Sequence, residues 1–270
     1  MQTLDMTNKV AVVTAGAAGI GGAAALLLAQ HGATIVVADI DADEGTRTVQ
    51  RIQALGREAI FIKADAMDKT EVAAAIQAAD AHFGRIDVLV NNAGGVRRRN
   101  FLDQSERNWH RILDFNFVSM LAATQAAARL MIAGGRGGTI VNVASSEGLR
   151  GAPGYSVYAA CKAAMINFTK TSALEFGVHG IRVNCIAPDL IMTPGLSTIY
   201  GPKEREAIVQ ISALARTGTP EEAANAILFL ASPMSSFVTG ATLSVDGGVI
   251  AAAGWSRSPQ GDWEQVHIVP

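Results

Sequence analysis

Hydrophobic positions along the chain fall into short β-branched runs separated by longer, alanine-rich stretches. Seven runs are typical of strands, at residues 10–14, 34–39, 59–63, 88–91, 139–143, 181–186 and 242–245. The segments between these runs are long enough for helices. Such alternation specifies βαβ units, and right-handed crossovers join them into one parallel sheet with helices on both faces. The pattern therefore predicts one α/β domain, a doubly wound parallel sheet of seven strands, over residues 1–250.

Composition limits the kinds of partner that the protein can bind and the cellular compartment in which it is expected. Of the 270 residues, 49% are hydrophobic and only 6% aromatic, a mixture that suits helices packed over a buried parallel sheet. A formal net charge of -2 gives no field that would attract nucleic acid or an anionic membrane surface. Residues 1–9 lack a secretory signal pattern, and no apolar run approaches the roughly 18 residues of a membrane span. We expect a cytoplasmic protein whose partner is a small molecule.

The last 20 residues differ in character from the rest. Residues 251–270 carry Trp255 and Trp263 and end in an apolar run, beyond the last predicted strand. We expect a C-terminal extension that packs across a subunit boundary or over the substrate crevice, because exposed tryptophans forgo roughly 1.5–3 kcal/mol each of burial energy. The two cysteines, Cys161 and Cys185, are expected to be buried thiols, and the five histidines show no metal spacing. No metal is expected.

A glycine-rich turn follows the first predicted strand. Residues 14–21 read Thr-Ala-Gly-Ala-Ala-Gly-Ile-Gly and lead directly into a predicted helix at 22–31. Glycines there let backbone amides approach a pyrophosphate, and the helix amino terminus adds unpaired N–H groups and a positive dipole end. The turn indicates a dinucleotide site, and its alternative interpretation is close helix–strand packing.

Asp39 ends the second predicted strand, 18 residues after Gly21. A carboxylate there accepts hydrogen bonds from the adenosine ribose hydroxyls and repels the 2′-phosphate of NADP. Neither Ile40 nor the turn residues Ala17 and Ala18 supply the cation that NADP needs. We therefore predict NAD as the cofactor, the alternative being a solvated acid that starts the turn 39–41.

Tyr158 and Lys162 lie four residues apart in a stretch predicted to be helical from about Tyr155. This spacing puts both side chains on one face, about one turn apart. An ammonium near a phenol stabilises the phenolate and lowers a pKa that starts near 10, so the hydroxyl becomes a usable acid–base. A surface helix also produces this pair by chance, so its context matters.

Four motifs supply that context. Residues 14–21 precede Asn91-Asn92-Ala93-Gly94, then Ser145, then Tyr158-Ala-Ala-Cys-Lys162, with Ser145 13 residues before Tyr158. In this order and spacing they resemble the short-chain dehydrogenase/reductase family, over about residues 10–249. Residues 181–188 and 238–248 are also similar to that family. The resemblance implies a Rossmann-like fold and hydride transfer between NAD and a secondary alcohol or ketone.

The resemblance also implies roles for individual residues. Four residues are expected to be catalytic. Tyr158 would be the general acid–base, and Ser145 would hydrogen-bond the substrate oxygen. Lys162 would hold the nicotinamide ribose and lower the pKa of Tyr158, and Asn116 would anchor a proton-relay water. The expected cofactor-binding residues are Gly16, Gly19, Ile20, Gly21, Asp39, Asp65, Ala66, Asn92, Ala93, Gly94, Tyr158, Lys162, Pro188, Ile191 and Thr193. These groups follow the carboxyl ends of six different predicted strands, the edge where open α/β sheets bind ligands.

Two residues depart from the family pattern. Ala15 stands where the family has its first motif glycine, and we expect a negative φ there, with Gly16 absorbing the turn. Asp189 stands where a glycine usually follows the proline, so a carboxylate lies near the nicotinamide or, as we expect, points to solvent.

Two alternatives to this function stay open at the level of the sequence. One is a non-catalytic dinucleotide-binding sensor or scaffold on the same fold. The other is a 3-oxoacyl carrier-protein reductase, which Asp39 disfavours because such enzymes usually use NADPH. Arg97–Arg99 either meet an anionic substrate or form a solvated loop, which we favour. Family members are often tetramers, and apolar residues on several faces of 120–131 and 159–176 predict a homotetramer.

Overall fold

The structure is a computed structural model that describes residues 3–198, 201, 207–208, 210–258 and 261–265. Seven parallel strands form one sheet in the order β3-β2-β1-β4-β5-β6-β7. They are β1 Val10–Thr14, β2 Thr34–Asp39, β3 Ala59–Lys63, β4 Val88–Asn91, β5 Gly138–Val143, β6 Ile181–Pro188 and β7 Thr242–Val245. The predicted fold class, a doubly wound α/β sheet of seven strands, is confirmed.

Two strands are longer than predicted. β5 begins one residue earlier, at Gly138, where it pairs with Ile181. β6 continues past Ile186 to Pro188, because Ala187 and Pro188 pair with β7. Neither extension carries the β-branched residues that mark a strand in the sequence, so only pairing with the neighbouring strand reveals them.

Nine helices in the described residues connect and cover the strands. They are α1 Gly19–Gln30, α2 Ala42–Ala54, α3 Lys69–Phe83, α4 Glu106–Leu113, α5 Ser119–Gly134, α6 Ser156–Gly177, α7 Pro194–Ser197, α8 Pro220–Ala231 and α9 Val249–Ala252. α1 starts three residues before the predicted helix, since the last glycines of the turn already form its first turn.

Alternating residues of the strands divide the core between the two faces of the sheet. Ala11 and Val13 of β1 pack with α1 and α8, whereas Val10 and Val12 pack with α3, α5 and α6. This is the period of two that a strand imposes on its side chains. The chain builds outward from β1 to β3 and then returns to the other side of β1 with β4. That reversal opens a crevice at the carboxyl ends of β1 and β4.

The helical run Glu106–Gly134 contains α4 and α5. It is 29 residues long and, within the described chain, is the one helix long and apolar enough to cross a membrane by length and composition. Ala123, Ala127 and Met131 of α5 belong to the core under the sheet. The run is therefore packed as a core helix of the domain.

The tail has structure that the sequence pattern did not predict. Strands β8 Trp255–Arg257 and β9 Trp263–Gln265 form an antiparallel hairpin, and the Arg257 guanidinium lies 5.0 Å from the centre of the Trp263 ring. Both tryptophans stay exposed, at 45% and 39%. The rest of the tail, 259–260 and 266–270, lies outside the described residues. Its packing on a second subunit or over the crevice stays a prediction.

Candidate active site

The predicted site residues lie at the carboxyl edge of the sheet, on loops that follow β1 to β6. The loop after β1 and the loop after β6 face each other across the crevice. A Cβ built on Gly19 would lie 3.4 Å from the Thr193 methyl group. The structure therefore brings the glycine-rich turn next to one of the residues predicted for the nicotinamide.

The glycine-rich turn bends at an unexpected residue. Ala15 has a φ of 48°, so the expectation of a negative φ there is wrong. Two contacts hold this left-handed residue, because Asn92 Nδ2 donates to Ala15 O (2.9 Å) and Gly16 N donates to Ala38 O (3.3 Å). Gly21 is required for the same approach, since a Cβ there would lie 2.3 Å from Ala15 O. Alanine has a Cβ, so this left-handed conformation costs roughly 1–2 kcal/mol, which the surrounding contacts offset.

The amino terminus of α1 has no side-chain acceptor. Its N-cap is Ala18, whose methyl group cannot accept a hydrogen bond from the first-turn amides. The preceding loop is braced from outside, because Asp39 Oδ2 accepts from Ala17 N (3.0 Å) and Thr48 Oγ1 donates to Ala17 O (2.7 Å). Thr48 escaped the sequence analysis, and its one signal is a hydroxyl on the buried face of α2. The first amides of α1 thus stay available to an anion.

Asn92 and Thr14 tie β4 to β1 beside this loop. Asn92 Nδ2 donates to Thr14 O (3.2 Å), and Thr14 Oγ1 accepts from Asn92 N (3.0 Å) and Ala93 N (3.3 Å). The sequence predicts no separate role for Thr14 within the glycine-rich turn, yet its hydroxyl fixes the segment that carries Ala93 and Gly94.

Asp65 and Ala66 follow β3 on the other flank of the loop. Asp65 Oδ1 accepts from Met67 N (2.8 Å), which shapes the turn after the strand. Ala66 lines a small cavity of about 10 Å³ together with Thr14 and Ala93. Ala66 and Ala93, both predicted to bind the cofactor, thus come together with Thr14 at the ends of β3, β4 and β1.

Tyr158 and Lys162 extend from the first turns of α6 as predicted from their spacing. Lys162 is buried, its Nζ donates to Val143 O (2.9 Å), and it lies 5.5 Å from the centre of the Tyr158 ring. Burial lowers the pKa of Lys162 to about 8. Two buried thiols, Cys161 and Cys185, flank it, and burial raises the pKa of both.

The pKa of Tyr158 differs from expectation in the protein alone. Burial raises the pKa of Tyr158 to about 12, against the opposing hydrogen bond of Ser145. The predicted lowering by Lys162 is therefore wrong for the chain by itself. The reason is that burial disfavours the phenolate, and Lys162 Nζ donates to Val143 O. The phenol is protonated at neutral pH.

Asn116 clamps the segment that carries Gly94 and Gly95. Asn116 Oδ1 accepts from Gly95 N (2.8 Å), and its Nδ2 donates to Gly95 O (3.0 Å) and Ile112 O (2.9 Å). A Cβ on Gly94 would lie 2.9 Å from Asn116 Oδ1 and 3.0 Å from Lys162 Nζ. Asn116 itself lies in a π-helical turn, 114–118, between α4 and α5. Such turns concentrate at functional sites.

A buried polar ladder supports this floor and escaped the sequence analysis. Asn91 Nδ2 donates to Asn142 Oδ1 (2.8 Å) and Thr124 Oγ1 (2.9 Å), and Asn142 Nδ2 donates to Thr169 Oγ1 (2.9 Å). The ladder joins β4 and β5 to α5 and α6. Polar residues inside predicted core strands were the available signal, because such residues need partners when buried.

The loop after β6 carries Asp189, which does not point to solvent. Asp189 Oδ2 lies 2.8 Å from Arg150 Nη2, and the same Arg150 nitrogen lies 2.9 Å from Glu147 Oε1. Burial raises the pKa of Asp189, and Arg150 opposes that shift. The prediction for Asp189 is therefore wrong, because the sequence does not reveal a partner 39 residues away. The ion pair joins the loop after Ser145 to the loop after Pro188.

Ile191 and Thr193 complete the β6 loop. Ile191 is buried, and Thr193 caps α7 by accepting from Leu196 N (3.2 Å). A cavity of about 380 Å³ opens beside them, lined in part by Leu190, Ile191 and Leu214. Among the described residues no group of three or more His, Cys, Asp or Glu side chains is placed to hold a metal ion.

Comparisons with known proteins cover almost the whole chain. Residues 15–250 match the family model described as enoyl-(acyl carrier protein) reductase. The chain belongs to the short-chain dehydrogenase/reductase family. Within this family it is 42% identical over 248 residues to the 3-oxoacyl-(acyl-carrier-protein) reductase FabG of Chlamydia muridarum, which covers 90% of this chain and 98% of that protein.

Two further family members differ from FabG in their named substrates. The 2-dehydro-3-deoxy-D-gluconate 5-dehydrogenase of Escherichia coli K12 is 38% identical over 252 residues, covering 93% of this chain and 99% of that protein. A 7α-hydroxysteroid dehydrogenase, solved with NADH and 7-oxo glycochenodeoxycholic acid, has 36% identity and a TM-score of 0.87. It covers 91% of this chain and 95% of that chain. All three are oxidoreductases, and this chain is an oxidoreductase of the same family.

The residues of the crevice fit a nicotinamide dinucleotide. The uncapped first turn of α1 suits a pyrophosphate, and the glycines at 19 and 94 let the backbone lie close to Thr193, Asn116 and Lys162. The Asp39 carboxylate at the end of β2 lies within hydrogen-bond distance of the turn. The chain therefore has donors and an acceptor where the two halves of such a cofactor need them.

Proposed function

We propose that this protein is an NAD-dependent oxidoreductase that interconverts a secondary alcohol and a ketone in the cytoplasm. The observation that carries the proposal is the meeting of Ser145, Tyr158, Lys162 and Asn116 beside Gly94, whose missing Cβ lets Asn116 Oδ1 and Lys162 Nζ approach the backbone. A sensor or scaffold has no need for a phenol, a hydroxyl and an ammonium gathered at one point.

The proton and the hydride take separate routes. A nicotinamide bound in the crevice would supply the hydride acceptor for the alcohol carbon in the oxidation and the hydride donor for the ketone carbon in the reduction. Ser145 donates a hydrogen bond to the substrate oxygen and holds it against the Tyr158 hydroxyl. In the reduction, Tyr158 gives its proton to that oxygen; in the oxidation, its phenolate removes the hydroxyl proton. Lys162 stabilises the phenolate and orients the cofactor ribose.

The raised pKa of Tyr158 gives the pH dependence its sign. A phenol whose pKa is about 12 in the protein alone is protonated at neutral pH, which suits ketone reduction. Alcohol oxidation needs the phenolate, so its rate should rise with pH, whereas the rate of reduction should fall at high pH.

The experiment that tests the mechanism is Tyr158→Phe, which removes only the titrating oxygen. We expect turnover to fall by at least the ~10²-fold typical of lost acid–base catalysis, with NADH affinity within about twofold of the parent. Tyr155→Phe, three residues earlier on the same segment, is the matched control and should keep full turnover. Parent-like turnover in Tyr158→Phe would remove this residue from the mechanism.

The proposed preference for NAD depends on Asp39. Its carboxylate lies at the end of β2 beside the turn, and within the described chain no Lys or Arg pairs with it. A 2′-phosphate would meet a negative charge there.

A second candidate is a 3-oxoacyl carrier-protein reductase. Its support is the 42% identity to FabG. The matched family model, described as enoyl-(acyl carrier protein) reductase, shares the acyl carrier protein with this candidate and differs in the reaction. The two candidates differ in substrate and in cofactor. Rapid reduction of a 3-oxoacyl thioester with NADPH, with little activity on simple secondary alcohols and NAD, would favour this candidate over the first.

We also propose a homotetramer in which the tail contributes to the site. Leu174 on α6 is 81% exposed and Val178, four residues later, is 84% exposed, so neighbouring apolar side chains at the end of α6 face water in a monomer. Arg257 of the tail hairpin donates to Ala213 O (2.9 Å), and Ala213 lines the cavity beside Asp189. Deleting residues 251–270 should change the mass measured by light scattering or the KM for the alcohol. A truncated protein equal to the parent in both would make the tail a passive extension.

A further inference from the structure

The segment from Gly95 to Arg99 is fixed at both ends to elements of the site. At its start Gly95 is clamped in both directions by the Asn116 side chain, at 2.8 and 3.0 Å. At its end Arg99 N donates to Gly154 O (2.9 Å), and Gly154 lies four residues before Tyr158. Four residues span at most roughly 14 Å, so the segment runs along the rim of the crevice.

Three consecutive arginines, Arg97 to Arg99, are exposed on this segment. Within the described part of the chain, neither an ion pair nor a side-chain hydrogen bond engages their guanidinium groups. Arg98 is the one held in place. Its stem packs against the bare backbone of Gly154, where a Cβ would lie 2.8 Å from Arg98 Cγ and 2.9 Å from Nε. Arg98 therefore lies against the loop that leads into Tyr158.

The acids nearest the crevice do not neutralise this charge. Glu147 and Asp189 both pair with Arg150, at 2.9 and 2.8 Å, and neither forms an ion pair with Arg97, Arg98 or Arg99. Within the described residues, the three guanidinium groups of this segment therefore have no carboxylate partner. A guanidinium offers two parallel N–H donors that match the two oxygens of a carboxylate, and such charge-assisted pairs are among the strongest hydrogen bonds in proteins.

We propose that the substrate carries a carboxylate and that Arg98 binds it while Ser145 and Tyr158 hold the reacting oxygen. This inference rests on the proposed function and specifies its substrate class: an oxo acid or hydroxy acid whose charged group lies away from the carbon that exchanges hydride. The solvated-loop interpretation, favoured from sequence alone, predicts no discrimination by substrate charge.

The test compares two ketones of one shape, 4-oxocyclohexanecarboxylate and 4-oxocyclohexanecarboxamide, with NADH as reductant. We expect the parent protein to have a kcat/KM for the carboxylate at least tenfold above that for the amide. Arg98→Gln should raise the KM for the carboxylate at least tenfold, with kcat within about twofold, and leave the amide unchanged. Arg51→Gln, an exposed arginine on α2, removes the same charge and should change neither substrate.

The outcomes separate this inference from the proposed function. Equal use of both ketones by the parent protein overturns the carboxylate site and leaves the oxidoreductase intact. If neither ketone oxidises NADH, calorimetric titration of the NADH complex with each compound decides. Tighter binding of the carboxylate that is lost in Arg98→Gln supports the site without turnover, and equal binding, or binding unaffected by Arg98→Gln, overturns it.

Discussion

Helices α1 and α8 pack against each other on one face of the sheet and both begin at its carboxyl edge, yet their first turns are built in opposite ways. α8 is closed by its own residues. Thr219 Oγ1 accepts from Glu222 N, Glu222 Oε2 accepts from Thr219 N (2.9 Å), and Arg216 holds Glu222 from the side (2.6 Å). This is a capping box, which satisfies two first-turn donors within the helix.

The start of α1 has no such closure. Its N-cap is Ala18, and the nearest carboxylate, Asp39, comes from another strand and accepts from Ala17 in the loop. Two neighbouring helices of one core thus differ in whether the chain itself satisfies their first amides. The difference indicates that the start of α8 has a structural role only. The first backbone N–H groups of α1 are instead left free to bind a ligand.

Removing the Asp39 carboxylate, which β2 supplies to the loop before α1, should have the largest effect on the difference between the two helix starts. Asp39→Ala is expected to lower the ratio of kcat/KM with NAD to that with NADP by at least about tenfold, since ~1.4 kcal/mol of lost discrimination suffices. Asp41→Ala, which loses the N-cap of α2 two residues later, is the matched control and should leave the ratio unchanged. Equal efficiency with both cofactors in the parent protein would contradict the role of Asp39.

Closing α1 artificially should weaken cofactor binding. Ala18→Asp supplies an N-cap acceptor and a negative charge, so we expect the Kd for NADH, measured by fluorescence titration, to rise about tenfold or more. Ala18→Asn offers a similar cap without charge, and the difference between the two variants isolates the charge. An unchanged Kd in Ala18→Asp would show that no phosphate sits at this terminus.

Removing the N-terminal cap of α8 should lower the stability of the fold and leave cofactor binding unchanged. Thr219→Val is expected to lose about 1 kcal/mol in the free energy of unfolding, measured in urea, with the Kd for NADH unchanged. A weakened Kd in this variant would mean that the two helix ends do not differ in function as proposed.

The same cap makes stability depend on acid pH. The hydrogen bond from Arg216, followed by that from Thr219 N, lowers the pKa of Glu222 to about 2. A carboxyl group with a lowered pKa in the folded state stabilises the fold above its unfolded pKa of about 4.5, and that contribution disappears as pH falls toward 2. Glu222→Gln should remove this part of the pH dependence, and because the pair is exposed the change should be below about 1 kcal/mol.

The smallest effect is expected at the turn before α1. Ala15→Gly relieves a left-handed alanine but adds freedom to the unfolded chain, so we expect a net stabilisation of roughly 0.5 kcal/mol. Ala17→Gly, at a residue without a positive φ, should destabilise by a similar amount. A loss of stability in Ala15→Gly would show that the methyl group packs favourably in the turn.

The central strands could be predicted from sequence because they are buried on both faces and rich in β-branched residues, as in β1, β2 and β4. Five of the seven strands have the predicted bounds. The tail hairpin could not be predicted, because its strands of three residues are too short for alternation to appear. A periodic pattern of hydrophobic residues appears where a long element buries one face. A short hairpin on the surface has no such pattern.

The sequence predicted where the site residues lie better than it predicted their surroundings in the folded chain. The spacing of Tyr158 and Lys162 places them on one face of a helix, as local geometry requires. Their pKa values depend on burial, which brings together residues far apart in sequence, and the spacing of four therefore could not give the sign of the Tyr158 shift. The Arg150–Asp189 pair and the φ of Ala15 belong to the same class, since each is set by the folded chain and not by its neighbours in sequence.

The three tryptophans give this protein an unusual optical character. Trp109 stacks on Phe101, with ring centres 5.5 Å apart, and Trp255 and Trp263 lie in the tail hairpin. Within the described chain, none of the core clusters contains a tryptophan. Intrinsic emission therefore reports on α4 and the tail, and far-ultraviolet circular dichroism is the spectroscopic signal that follows the core.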